Sequence, residues 1–193
     1  KVKLGFPFLN RAKAEIGFAY GRLNDYYFQT SNMTFPNATT DHSRYDLFAG
    51  SLSIERNSLD YKQYPISGRK QFLVAQYVTG TEKYMPSPIT DMGSFDRKVH
   101  SWLQMKGEWE QYKTISPYFN LGFMSELVLS SKNLMNNYTA SVLQAPAFTP
   151  TPHSQIVFNE AFRANQYVAF GLSPILKFSK LLHFRLDMYG FAP

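Results

Sequence analysis

The chain has 193 residues, a formal net charge of +6 and no cysteine. The lack of cysteine excludes a disulfide framework, a thiolate zinc site and a cysteine nucleophile. Charged residues make up only 18% of the chain and aromatic residues 17%. The basic residues are spread along the sequence without forming a run, so we expect no nucleic-acid partner.

The mean hydropathy is −0.30, and the sequence has no stretch of about 18 apolar residues that could form a transmembrane helix. A soluble domain and a membrane β-barrel both remain, because alternation along each strand dilutes the apolar signal of a barrel. The first residues, Lys1 to Leu4, lack the apolar core of a signal peptide. We therefore expect a single β-barrel domain over residues 1–193 that is a portion of a larger barrel protein.

Alternation of apolar and polar residues with a period of two is the dominant signal, and it predicts β-strands. Ile16 and Phe18, for example, alternate with Glu15 and Gly17. Strands are predicted, in chain order, at residues 12–21, 23–30, 45–55, 69–79, 99–109, 117–129, 166–176 and 182–190. The fold class is therefore all-β, with about eight antiparallel strands in up-and-down order.

The predicted links between strands alternate in length. Short links are predicted near Arg22, at residues 114–116 and at residues 178–181. Long links are predicted at residues 31–43, 80–98 and 130–161, and the 56–68 link is intermediate. Short turns at one end and long loops at the other are typical of outer-membrane barrels. The pattern predicts a transmembrane β-barrel or a portion of one; the alternative is a soluble β-sandwich or small barrel that binds a lipid or a sugar.

The 56–68 link has the most specific sequence, in which a polar turn precedes an aromatic-Pro-x-x-Gly stretch. Its characteristic residues are Arg56, Asp60, Tyr64, Pro65 and Gly68. This stretch resembles the turn signature of the bacterial surface-antigen barrel family. Residues 51–84 and 184–189 are also similar to the C-terminal barrel of Gram-negative patatin-like phospholipases.

The resemblance implies a location in the bacterial outer membrane, where the barrel would anchor or translocate an upstream patatin-like domain. The implied partners are that domain and outer-membrane lipid or lipopolysaccharide. Patatin activity needs a Gly-x-Ser-x-Gly turn, which this chain lacks. We therefore expect no catalytic residue, no enzymatic activity of the chain itself, no cofactor and no metal.

Two further patterns concern side chains that could carry chemistry. Adjacent His-Ser pairs occur at residues 42–43, 100–101 and 153–154, but neighbours on a strand point to opposite faces, so we expect none to act as a nucleophile and its base. Charged residues on one face of the later strands are expected to line the lumen of the barrel. These residues are Lys106, Glu108, Glu126, His183, Arg185 and Asp187.

Overall fold

The computed structural model describes residues 1–27, 40–86, 96–133, 135, 141–142, 144–179 and 182–193. Strands dominate this part of the chain. Their bounds are β1 Val2–Leu9, β2 Ala12–Tyr27, β3 Asp41–Asn57, β4 Gly68–Met85, β5 Asp96–Ser116, β6 Phe119–Ser130, β7 Tyr167–Lys177, β8 His183–Arg185 and β9 Met188–Ala192. Each strand from β1 to β8 lies beside its neighbour in sequence and runs antiparallel to it. The all-β, up-and-down prediction is therefore confirmed.

The last strand is interrupted, because β8 and β9 pair with two successive stretches of β7. The interruption lies opposite Pro174, which has no N–H to donate to the ladder. The backbone N–H of Leu186 instead donates to the carbonyl of Pro174 at 3.1 Å. Counted as one interrupted strand, β8 and β9 bring the sheet to eight strand positions, with β1 at one edge. Among the described residues, no pairing joins the two edges.

The two faces of the sheet differ in what lies against them. On one face, which we call the covered face, the 56–68 link and residues 144–166 pack against the strands. Two small apolar clusters lie there, one around Tyr45 and Trp102 and the other around Phe148 and Tyr167. The opposite face, which we call the open face, is covered by no other part of the described chain and carries most of the exposed apolar side chains.

The strand boundaries correct several sequence predictions. The turn predicted near Arg22 is wrong: Arg22 lies within β2, and the chain reverses at Asn10 and Arg11 instead. The strand that precedes this reversal, β1, was not predicted. Residues 28–30 of the second predicted strand lie outside the described residues. So do residues 31–39, 87–95, 134, 136–140 and 143 of the long links and residues 180–181 of a short link.

The central strands are longer than predicted, and the links beside them are shorter. β3, β4 and β5 have 17, 18 and 21 residues. They extend beyond the predicted bounds because their outer portions carry polar residues on both faces, which leaves no alternation to detect. The shorter links lie together at one end of the sheet, which we call the turn end. They are the turns at 10–11 and 117–118 and the 56–68 link. At the other end, which we call the loop end, β2, β4 and β6 finish and β3, β5 and β7 begin.

Candidate functional site

A belt of ion-paired side chains, which we call the charge belt, crosses the covered face. Its members are Lys3, Glu15, Lys13, Glu55, Lys70, Glu110, Glu108, Lys106 and Glu126. At the β1 edge, Glu15 lies 2.8 Å from Lys3 and 3.0 Å from Lys13, and Lys13 lies 3.2 Å from Glu55. Each of these side chains contacts one of opposite sign. Glu108 and Glu126 pair directly across β5 and β6, and they share Lys106 between them.

The most enclosed part of the charge belt centres on Lys106. Its Nζ lies 2.9 Å from Glu108 and 2.8 Å from Glu126. Lys70 adds a contact of 2.8 Å to Glu108, and the Tyr167 hydroxyl donates to Glu126. Because Glu126 is only 5% exposed, its charge depends on these partners. The structure thus brings together Lys106, Glu108 and Glu126, which the sequence placed on one face.

A second polar cluster surrounds Arg185 at the turn end of the covered face. Its Nε donates to Asp187 at 2.7 Å, and its Nη1 donates to the carbonyl of Pro65 at 2.8 Å. The guanidinium also lies over the rings of Tyr64 and Tyr112, at 5.7 Å and 5.2 Å from their centres. Arg185 therefore ties the last strand to the 56–68 link, a contact that sequence spacing could not predict.

His183 pairs with Lys177 of β7, and Arg185 pairs with Ile175, two residues earlier on the same strand. His183 and Arg185 therefore lie on the same face. His183 is exposed at the end of the strand, and it makes no ion pair with any acidic residue in the described ranges. Together with Tyr61, Gln63, Tyr64, Arg185 and Asp187 it lines a shallow cleft. His183 thus belongs to the rim of the Arg185 cluster and not to the charge belt.

The 56–68 link owes its shape to two of the residues that the sequence singled out. The Asp60 carboxylate accepts hydrogen bonds from the backbone N–H groups of Tyr61, Ile66 and Ser67, at 3.0, 3.1 and 3.2 Å. Gly68 has φ +103°, and a Cβ there would lie 2.2 Å from the carbonyl oxygen of Ser58.

Two of the other signature residues have different surroundings. Pro65 contributes the carbonyl that Arg185 binds. Arg56 lies at the end of β3 on the open face and takes no part in the folded link. Asn120, which the sequence analysis did not identify, donates from Nδ2 to the carbonyl of Ile66 at 2.7 Å.

A cavity of about 580 Å³ lies over the charge belt. The 56–68 link forms its wall on one side, and residues 149–155 form the wall on the other. Its floor is formed by charged side chains, including Lys70, Lys106, Glu108, Glu110 and Glu126. The covered face therefore combines a partly filled interior with a floor whose charges are paired.

The open face carries a continuous apolar band. Directly paired residues form rows across the strands, as in Ile16, Leu52, Ala75, Met105 and Leu129. Leu52 is 53% exposed and Leu73 49%. On β3 the band runs from Phe48 to Ile54 between Asp46 and Arg56, which corresponds to about 20 Å along the strand. Charged or polar side chains thus bound the band at both ends.

None of the adjacent His-Ser pairs forms a catalytic arrangement in the described chain. His100 Nε2 lies 2.6 Å from the Glu82 carboxylate on the covered face, whereas Ser101 points to the open face. His42 stacks on Tyr26, and Ser43 is buried on the opposite face. Ser154 donates to the carbonyl of Thr151 at 2.7 Å.

Comparison with protein-family models, with curated proteins and with solved structures gave no match. The similarity to surface-antigen barrels and patatin-like phospholipases therefore stays a prediction from the motif residues. No helix in the described ranges is long and apolar enough to cross a bilayer.

Proposed function

We propose that this chain forms part of the wall of a β-barrel in the bacterial outer membrane, with its open face against lipid. The observation that carries the proposal is the continuous apolar band on the open face. In water this arrangement would leave Phe18, Leu52 and Leu73, each at least 49% exposed, unprotected. Contiguous exposed apolar surface of this extent marks a contact with lipid or with another protein.

The length of the strands supports the same proposal. A tilted strand crosses the hydrocarbon with about 9–11 residues, and every strand from β2 to β7 has at least 11. β4 and β5 are longer than needed, and their additional residues lie at the loop end, where Lys83 and Arg97 replace apolar residues on the open face. These strands would continue past the bilayer into water.

The covered face has the character expected of a barrel interior. Interiors of outer-membrane barrels are polar and are often filled by loops. Here the charge belt supplies the polar wall, and the 56–68 link and residues 149–155 occupy the space over it. The structure therefore supports a polar, partly plugged interior behind an apolar exterior.

Within this proposal, the chain anchors or translocates an upstream patatin-like domain of the same polypeptide. The support is the likeness of the 56–68 link to the family signature, together with the folded form of that link around Asp60 and Gly68. Any hydrolytic chemistry would belong to the upstream domain, because the chain itself has no Gly-x-Ser-x-Gly turn.

A soluble β-protein that binds a lipid or a sugar is the second candidate. The observation that favours it is the cavity of about 580 Å³, which carboxylates, lysines and tyrosines line. Tyrosine rings and carboxylates are side chains that can contact a sugar. In this case the open face would have to be covered by another protein surface.

Fractionation distinguishes the two candidates. The chain would be exported in a Gram-negative host, and its outer membranes would be washed with urea and then extracted with detergent. The proposal predicts that the protein resists urea and leaves the membrane only with detergent. A monodisperse protein in detergent-free buffer, with a cooperative thermal transition, would overturn the proposal and favour the soluble candidate.

A further inference from the structure

Three cationic side chains form a row across the open face, beyond the apolar band at the loop end. Arg44 pairs directly with Lys83, and Lys83 pairs directly with Arg97. Like charges directly opposite each other on neighbouring strands are destabilising. The row therefore needs a compensating negative charge.

The described residues supply little of that compensation. Asp46 contacts Arg44 at 3.1 Å, but it is shared with Arg22, which lies 2.6 Å away. Within the described ranges, no carboxylate lies within ion-pair distance of Lys83 or Arg97. Among the described residues, this border of the open face thus carries four cations and one carboxylate, which contacts Arg22 and Arg44.

An apolar groove lies within the band on the same strands as Arg44 and Lys83, and its loop-end border at Phe48 and Thr79 is four residues from them. It has a volume of about 460 Å³. Its lining consists mainly of Val2, Phe18, Tyr20, Phe48 and Tyr77, and also includes Lys1 and Thr79. The Tyr20 hydroxyl donates to Asp46 at 2.8 Å, which connects the wall of the groove to the cationic side chains.

Gly50 forms the floor of the groove. It pairs with Phe18 on one side and Tyr77 on the other, so it lies in a row between two aromatic residues. A Cβ built at Gly50 would meet nothing within 4 Å, and the backbone there does not have a positive φ. Neither the backbone nor crowding requires glycine here, and a larger side chain at this position would occupy the groove.

We propose that the groove and the cationic row bind an anionic, phosphate-bearing lipid of the bilayer, with one acyl chain over Gly50 and the phosphate at Lys83 and Arg97. The inference rests on the proposed function, because an acyl chain reaches this face only if the open face meets lipid. Basic pockets are the sites at which membrane proteins recognise anionic headgroups.

The spacing along the strands fits this occupant. Lys83 lies four residues beyond Thr79, which lines the groove; this is about 13 Å along the strand, or about 10 Å along the membrane normal for a strand tilted by about 35–45°. The headgroup region on each side of a bilayer is about 5–8 Å thick. The long side chains of Lys83 and Arg97 can extend back toward the band, so their charges can reach the phosphates of lipids whose chains lie there.

The test measures lipid selectivity of the full chain refolded into phosphatidylcholine vesicles, with spin-labelled phosphatidic acid and spin-labelled phosphatidylcholine as probes. We expect several-fold preferential immobilisation of phosphatidic acid. The double variant Lys83→Gln/Arg97→Gln should lose most of this preference, and Gly50→Leu should lower the immobilisation of phosphatidic acid by filling the groove. Lys83→Arg/Arg97→Lys, which conserves both charges, should keep the preference.

A matched control removes two charges at the other border of the same face. Arg69→Gln/Lys113→Gln changes the net charge equally, but these residues lie in different rows and should leave the selectivity unchanged. Equal loss in the control and in Lys83→Gln/Arg97→Gln would overturn the inference and leave the proposed function intact. Insertion of the unmodified chain without any preference for phosphatidic acid would also overturn the inference and leave the proposed function intact. Failure of the chain to insert would overturn both proposals.

Discussion

The open and covered faces belong to the same strands but expose opposite kinds of side chain. On β5, Leu103 and Met105 point to the open face and are 48% and 40% exposed, while Trp102 on the covered face is 7% exposed. Between these faces the usual distribution of a soluble sheet is reversed: charged residues such as Lys106 lie under loops, and apolar residues lie outside. Burial in this protein therefore follows what covers each face and not polarity.

The largest expected effect concerns the charge belt. Lys106→Met would leave Glu108 and Glu126 without their shared partner, and loss of one member of a buried pair costs about 3–5 kcal/mol. The measurement is the free energy of unfolding in urea after refolding into vesicles. The control is Lys113→Met, a change at an exposed residue of the open face, which should cost at most about 0.5 kcal/mol. Equal losses of stability in the two variants would contradict the prediction that the charge belt depends on Lys106.

Neighbouring residues on β5 test the open face directly. Met105→Arg should cost about 2–4 kcal/mol in a bilayer, since it places a charge in the middle of the apolar band. In water the same change at a residue that is already 40% exposed should cost no more than about 0.5 kcal/mol. Gln104→Arg, on the covered face, should be milder in the bilayer, and the reverse order would contradict the assignment of the faces.

Substitution by alanine should affect stability differently at two glycines, because the backbone of the 56–68 link requires Gly68 whereas nothing in the strand requires Gly50. Gly68→Ala should destabilise by about 1–3 kcal/mol, since Gly68 has a positive φ and a Cβ would meet the carbonyl of Ser58. Gly50→Ala should be neutral or stabilise by up to about 1 kcal/mol. Urea unfolding of the two variants measures the difference, and a destabilised Gly50→Ala would mean that the groove is tighter than described.

The smallest effect concerns Lys132, which follows β6 at the loop end and lies over the Trp102 ring at 5.4 Å. Burial lowers its pKa to about 8. Between pH 8 and the ordinary lysine value of about 10.4, the unfolded chain binds a proton that the folded chain does not, so stability rises with pH. The stability of the wild type relative to Lys132→Met should increase across this window, and a flat difference would contradict the shifted pKa.

The sequence predicted the sheet well wherever one face is apolar and the other is polar. Residues 45–55 and 99–109 alternate clearly, and both lie within long strands. The prediction failed where both faces are polar, as around Arg22 and Asn24, because alternation of apolar and polar residues then gives no signal. β1 was missed although Val2, Leu4 and Phe6 alternate, since a short strand with Pro7 inside it is a weak pattern.

The candidate site was predicted only in part. Faces follow from parity along a strand, so Lys106, Glu108 and Arg185 could be assigned to one side of their strands. Contacts between distant segments do not follow from parity. The bond from Arg185 to the carbonyl of Pro65 joins residues 120 positions apart, and the row of Arg44, Lys83 and Arg97 depends on the register of three strands.

The two edges of the sheet have a consequence for how the protein would enter a membrane. The outer sides of β1 and of the β8–β9 strand carry backbone N–H and C=O groups that no described strand pairs. Each such group left unsatisfied in hydrocarbon costs several kcal/mol, so the sheet would be excluded from lipid until both edges find partners. Closure and insertion would then be a single cooperative event, and a chain trapped before closure would be vulnerable to edge-to-edge aggregation.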